Sequence, residues 1–354
     1  MKSAVYFKPL PPDMSAEDIG REAVALFEKA GARPKWGKND LIAVKIHFGE
    51  KGNLGHINAR TAGVLCRHFM KSGTRPFLTD TNTLYRGQRD NAWNHLMLAH
   101  EHGFSIENCG VPVLISDGLK GQSQVPVPVK GELLQQVFLG SDIASSAGIV
   151  GLSHFTGHLL TGYGATVKNL GMGCAGRGGK LSQHSDVKPE VKSKSCTACG
   201  TCVKWCPAGA ITIKGTAIID LEKCIGCGEC FSVCPSAAIK HSWQESSDRL
   251  QKKMAEHALG AVSGKEDKSC YFNFLTHFTK DCDCMSCDPP LIPDIGIFFS
   301  ADPVAVDQAA FDQLRKSQGD DFLARLWPGV NQDEQLSHAI RIGLGSREYD
   351  LIET

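Results

Sequence analysis

Eight of the chain's fifteen cysteines fall between Cys196 and Cys234, in two runs of the same spacing. Cys196, Cys199 and Cys202 form a C-x2-C-x2-C run, closed by Cys206 and Pro207. Cys224, Cys227 and Cys230 repeat it, closed by Cys234 and Pro235. Three thiolates at that spacing converge on one iron–sulfur cubane, while the fourth points away and serves the neighbouring cluster. The expected ligand sets therefore cross: Cys196, Cys199, Cys202 and Cys234 for one [4Fe–4S] cluster, and Cys224, Cys227, Cys230 and Cys206 for the other. Gly200, Gly226 and Gly228 supply the backbone freedom that wrapping a cluster demands. Paired zinc sites are the competing reading, since C-x2-C also serves zinc. Zinc rarely needs three cysteines in one turn plus a C-x3-C-P, twice, so the spacing favours iron and sulfide.

A second tier of candidates lies outside that block. Cys282, Cys284 and Cys287 place three soft ligands within six residues, and the flanking Asp281 and Asp283 disfavour thiolates unless a cation is near. They are candidate ligands of a third metal or redox centre; the alternative is a reduced polar loop. His154 and His158, four apart, are candidate metal or anion ligands if the segment is helical and ordinary loop histidines if not. His47 and His184 are weaker candidates. Between Gly162 and Gly179 seven glycines occur in eighteen residues, a density that predicts a loop. With Lys168, Arg177 and Lys180 that loop is a candidate anion site for an anionic cofactor or substrate, although close packing explains the glycines as well. It matches neither a P-loop nor the dinucleotide fingerprint. Asn82, Tyr85 and Arg86 follow a short strand, where open α/β sheets place ligands. Cys174 is a candidate to join the Cys282–Cys284 site; Cys66, Cys109 and Cys270 read as structural. Asp302 and Asp307 read as a helix N-cap and a core-facing carboxylate.

The elements that must position these residues alternate. A helix is predicted from Ser15 to a stop at Gly31, then a buried strand over Leu41–His47 and a helix near Ala59–Ser72. A strand over Pro76–Thr79, a helix near Ala92–His102 and a strand over Val111–Ser116 follow. Strands over Gln136–Leu139 and Ala147–Leu152 flank a short helix, and Pro126 and Pro128 confine Val125–Val129 to an edge. Beyond the cysteine block come a helix over Gln244–Leu259, strands over Tyr271–Leu275 and Ile295–Ser300, and a helix over Val304–Lys316. That rhythm implies βαβ crossovers and a largely parallel sheet. The expected organisation is an α/β host domain, residues 1–187 and 242–354, with a small α+β domain of residues 188–241 inserted in it.

Lys and Arg total 38 against 38 Asp and Glu, so no bulk charge draws the chain to nucleic acid or anionic lipid. No apolar run approaches a membrane-spanning length, and the N-terminal stretch is too short for a signal peptide. The expectation is a cytoplasmic protein of anaerobic metabolism, with no nucleic-acid partner and no membrane insertion.

Residues 188–241 resemble the two-cluster bacterial-type ferredoxin module, with no departure at any ligand. The rest resembles a family of iron–sulfur-centre proteins known as domain of unknown function 362. The matching segments are His47–Asn53, Asp80–Arg89, His154–His158, Lys168–Cys174, Gly179–His184, Asp281–Cys284 and Asp302–Asp307. The first resemblance implies one-electron transfer between two nearby clusters; the second implies an architecture but no reaction. Three functions follow as expectations. The chain is an electron-transfer protein working with a redox partner, or a redox enzyme acting on a small anionic substrate or cofactor, or a metal or cluster assembly factor.

Overall fold

The computed structural model describes residues 2–31, 34–85, 87–184, 189–206, 208–224, 229–240, 246–285 and 289–354. Arg86, Cys227 and Cys287 lie outside the described residues.

Eight strands form one sheet. They are β1 (Ser3–Pro9), β2 (Leu41–Lys45), β3 (Arg75–Asp80), β4 (Val113–Ile115), β5 (Gly148–His154), β6 (Cys270–Leu275), β7 (Gly296–Ser300) and β8 (Tyr349–Glu353). Their order across the sheet is β8-β1-β7-β6-β5-β2-β3-β4. Every strand runs the same way except β7, which is antiparallel to both β1 and β6. The fold is therefore α/β with a mostly parallel sheet. β5, β6 and β7 are nearly or wholly buried along their length, as strands covered on both faces must be. One apolar cluster packs helices Ser247–Val262 and Pro303–Gln318 on one face, and another packs Ala16–Ala30 and Ala59–Lys71 on the other.

Local chemistry sets the helix ends. Ser15 accepts from the Asp18 amide, and Gly31 closes that helix at φ +63°, a conformation that glycine adopts without steric cost. Asp302 accepts from the Val304 and Ala305 amides at 2.8 and 3.0 Å, with Pro303 in the first turn. Asp307 is the buried carboxylate expected of it, and it accepts from the Thr166 and Val167 amides at 2.8 Å each.

Two expectations differ from the fold. The glycine-rich stretch is not one loop: it holds a strand at Gly162–Gly164 and helices at Thr166–Gly171 and Arg177–His184. Its glycines permit close approach. A Cβ on Gly171 would lie 2.1 Å from the Met254 carbonyl oxygen, and one on Gly179 would lie 2.2 Å from that of Phe138. His154 and His158 share no helical face either. His154 ends β5, and His158 belongs to a short strand paired with Gly162–Gly164. The alternation also passed over β1 and β8, whose half-buried sequences pair in parallel from Ser3 and Tyr349. The Val125–Val127 segment sits, as its prolines demand, in a separate two-stranded ribbon with Gln136–Gly140.

Residues 189–240 carry an apolar cluster of their own, made of Cys202, Ile211, Ala217, Cys230 and Ile239. Glu190–Val191 pairs with Ile239–Lys240, so the chain enters and leaves the segment side by side. Among the described residues no helix is long and apolar enough to cross a membrane.

Candidate functional site

The chain passes from β2 outward to β3 and β4, then returns to lay β5 on the other side of β2. Open α/β sheets form a ligand crevice at the carboxyl ends of strands where the order reverses in this way. A cavity of about 450 Å³ opens there, lined by the last residues of β2, β3 and β5 and by the loop after β6. Leu152, Leu160, Met172, Leu250 and Met254 make an apolar wall; Lys45, Asp80, Lys168, Lys180, Cys282 and Cys284 are the reactive groups facing it.

Lys45 is 1% exposed. Its Nζ lies 2.9 Å from Asp80 Oδ1 and donates to Asn169 Oδ1 at 2.8 Å. Burial opposes ionisation of Asp80, but Lys45, with His47, His95 and Arg89, holds its carboxyl well below the usual range. Arg89, also buried, lies 3.5 Å from Asp80 Oδ2 and donates to Glu50 Oε2 at 3.2 Å and to the Tyr85 hydroxyl. Lys180 is different. Its Nζ donates to two neutral oxygens, Thr81 Oγ1 and the Ala175 carbonyl, and burial pulls its pKa down to about 8. Gly173 and Gly164 let the lysines in, since a Cβ on either would lie 2.5 Å from Lys45 Nζ or 2.6 Å from Lys168 Cδ.

The loop between β6 and β7 supplies the thiols. Asp283 is gripped by His154 Nδ1, which donates to its two oxygens at 2.9 and 3.0 Å. Its own carbonyl accepts from the Glu50 amide at 2.9 Å. His154 Nε2 donates to the Thr276 carbonyl at 2.7 Å. Both ring nitrogens are thus occupied as donors. Burial opposes the charge, yet Asp283 raises the imidazole above its ordinary pKa.

On either side of Asp283, Cys282 and Cys284 both face the cavity. The Cys284 side chain brings the Cys282 pKa down to about 5 against the effect of burial, with the Lys168 ammonium adding to it. Burial opposes the Lys168 charge, but the two cysteines and Asp283 keep its pKa above the lysine value. His47 Nδ1 accepts from the Gly49 amide at 2.9 Å, which leaves the proton on Nε2, 3.4 Å from Cys284 Sγ.

The candidates therefore divide. Lys168, Lys180, His154, His158, His184, His47, Tyr85, Cys282 and Cys284 all line the cavity. Arg177 is not brought into it and donates instead to the Asp90 and Lys120 carbonyls, so the anion-site trio of the sequence is reduced to Lys168 and Lys180. His158 Nδ1 accepts from the Leu160 amide at 3.2 Å, and burial takes its pKa down to about 3. Asn82 donates to Asp117 and the Gly118 carbonyl, holding a loop rather than facing the cavity. Cys174 is buried beside Asn169 and away from Cys282. Sequence reasoning passed over Lys45, Asp80 and Arg89 as site residues. Their signal was a lone lysine ending a buried apolar strand.

In residues 189–240, Cys196, Cys199, Cys202 and Cys234 line one small cavity, so the second run lends its last cysteine to the first. The Ala217 amide donates to Cys196 Sγ at 3.4 Å, and the Ala238 amide to Cys234 Sγ at 3.3 Å. The Ala210 amide donates to Cys206 Sγ at 3.3 Å. Four thiols, with amides aimed at the sulfurs of Cys196 and Cys234, suit an anionic thiolate–metal centre. Among the described residues no three His, Cys, Asp or Glu side chains close on a point as the ligands of a single ion do. Cys224 and Cys230 belong to the same segment, Cys230 in its apolar cluster. The helix Glu229–Val233, which carries Cys230, packs on Arg177–His184, whose Lys180 and His184 reach the host cavity.

Two solved structures overlap most of the chain. The lactate racemase apoprotein from Thermoanaerobacterium thermosaccharolyticum aligns with 78% of this chain and 51% of its own at 11% identity and a TM-score of 0.39. A Thermotoga maritima protein solved by structural genomics aligns with 86% of this chain and 60% of its own at 10% identity and a TM-score of 0.37. The chain spans about half to three fifths of the length of these structures. No curated protein matches it. The model of a domain of unknown function, DUF362, matches residues 42–312, and the chain belongs to that family.

Proposed function

We propose that this chain is an iron–sulfur electron-transfer protein that holds two [4Fe–4S] clusters in an inserted two-cluster ferredoxin domain and works with a redox partner protein. The observation that carries this reading is the shared cavity of Cys196, Cys199, Cys202 and Cys234. Its membership is the crossed set that the spacing demands for a cubane and that a pair of local zinc sites does not need. Bound there, the clusters would supply single-electron oxidation and reduction. The chain's own residues do the rest. Cys196, Cys199, Cys202 and Cys234 would hold one cluster, and Cys206, Cys224, Cys227 and Cys230 the other. The amides of Ala210, Ala217 and Ala238 lower the charge on the ligating sulfurs, and Ile211 and Ile239 keep water from them.

A second reading shares the clusters: the host cavity binds a small anionic molecule and the chain is a redox enzyme. Lys180 favours it, a buried cation whose partners are neutral oxygens. Low-temperature electron paramagnetic resonance of anaerobically purified, dithionite-reduced protein tests the shared part. Two interacting spins per chain are expected. A protein silent after reduction and free of sulfide contradicts it.

A further inference from the structure

We propose that Cys282 and Cys284 form a redox dithiol that collects two single electrons as one pair at the floor of the host cavity. The inference rests on the cluster reading for its electron source, an iron–sulfur one-electron donor, and goes beyond it in assigning the acceptor.

Four observations carry it. The two cysteines enter one cavity on either side of a single residue that is pinned between them: Asp283 is held by His154 through its carboxylate and by the Glu50 amide through its carbonyl. Both sulfurs meet donors. Lys168 lies against Cys282, and the His47 Nε2 proton points at Cys284. A divalent ion would have to displace an ammonium and an imidazole N–H, and His154 has no ring nitrogen left to offer it. The pair lines the cavity, so a bound molecule can reach it. Finally, one helix, Arg177–His184, packs on the helix of Cys230 and also presents Lys180 and His184 to that cavity.

The step balances as follows. The oxidised form is a Cys282–Cys284 disulfide. Two electrons, delivered one at a time, break the S–S bond; one proton from water then forms the Cys284 S–H bond, and Cys282 stays a thiolate beside the Lys168 ammonium. After the first electron the sulfur pair bears a negative charge, which the Lys168 ammonium offsets. The Lys168 ammonium and the His47 Nε2 proton stay in place as donors to the sulfurs they face. Reversing the step re-forms the disulfide and passes the electron pair and the proton to a small anionic two-electron acceptor in the cavity.

Differential alkylation read by mass spectrometry tests this on the full-length protein. The protein is purified anaerobically, oxidised with ferricyanide, desalted and treated with iodoacetamide under denaturing conditions. The peptide spanning Cys282, Cys284 and Cys287 should carry one alkyl group. After reduction with dithionite before alkylation it should carry three. Cys287→Ser should keep the bond, giving none and two. Three groups in the oxidised wild-type peptide overturn the proposal, as does a bond that disappears in Cys287→Ser. Iron and sulfide are assayed on the same sample. Missing clusters overturn the cluster reading, whereas clusters that bleach with dithionite beside an intact disulfide overturn the dithiol relay alone.

Discussion

The segment 189–240 and the host cavity are built on opposite principles. In the segment, the chemistry sits in spacing, and the apolar cluster among the described residues holds five buried side chains. In the host, the chemistry is drawn from residues as distant as Lys45 and Cys284, and two large apolar clusters hold the sheet from both faces. The clusters proposed for the segment's cysteines would contribute folding free energy to it. The host's site is instead a product of its fold, with charges that survive burial by pairing.

The sharpest way to break this contrast is to strip the metal. Chelation under anaerobic conditions should make residues 189–240 exchange amide hydrogens freely and become protease-sensitive, while β2, β3, β5 and β6 stay protected. Uniform loss of protection across both regions would defeat the contrast.

A smaller effect distinguishes the two buried lysines. Lys45→Met leaves Asp80 without its nearest cation, and the expected loss in denaturant unfolding is about 3–5 kcal/mol. Lys180→Met removes a cation that has no carboxylate within hydrogen-bond reach, so a loss under about 1.5 kcal/mol, or a gain, is expected. The pH dependence follows from Lys180's folded pKa of about 8, below the unfolded value. Between that pH and about 10.4 the unfolded chain binds the extra proton, so stability contributed by this residue rises with pH. Lys180→Met should abolish that rise. Equal costs for the two variants would mean that Lys180 is paired as Lys45 is.

The smallest effect concerns His154 and Asp283. Asp283 is held below the ordinary carboxylate pKa, so its contribution is present above about pH 4 and lost as the pH falls through the folded value. His154 is raised above about 6.5, so its contribution is complete below that and lost as pH rises through the folded value. His154→Gln should remove the alkaline decline in melting temperature of the wild type between neutral and mildly alkaline pH. A decline that persists in the variant would place it elsewhere.

The same contrast explains what was legible in the sequence. Spacing survives in one dimension, so the cysteine runs, and the place of Cys234 beside the first of them, were readable before any fold was known. Strand and helix order was readable too, because burial on both faces imprints apolar runs at β2, β3, β5 and β6. The host site was only partly legible. Cys282, Lys168 and Lys180 stood out by type, but which of them meet depends on the sheet order, and no local pattern encodes that β5 lies beside β2. Arg177 has the right charge and a neighbouring position, yet it lies almost a turn of helix from Lys180 and faces Lys120 instead. Lys45 and Asp80 were hidden because each ends an apolar strand, where a single charge reads as the start of a polar loop. The glycines of 162–179 misled for a physical reason: close packing against carbonyls and a turn both require the missing Cβ.

Iron and acid-labile sulfide per chain, measured on protein purified without air from iron-replete cells, test the central claim most directly. About eight of each are expected if both cysteine runs are filled. Stoichiometric zinc with no sulfide would contradict it.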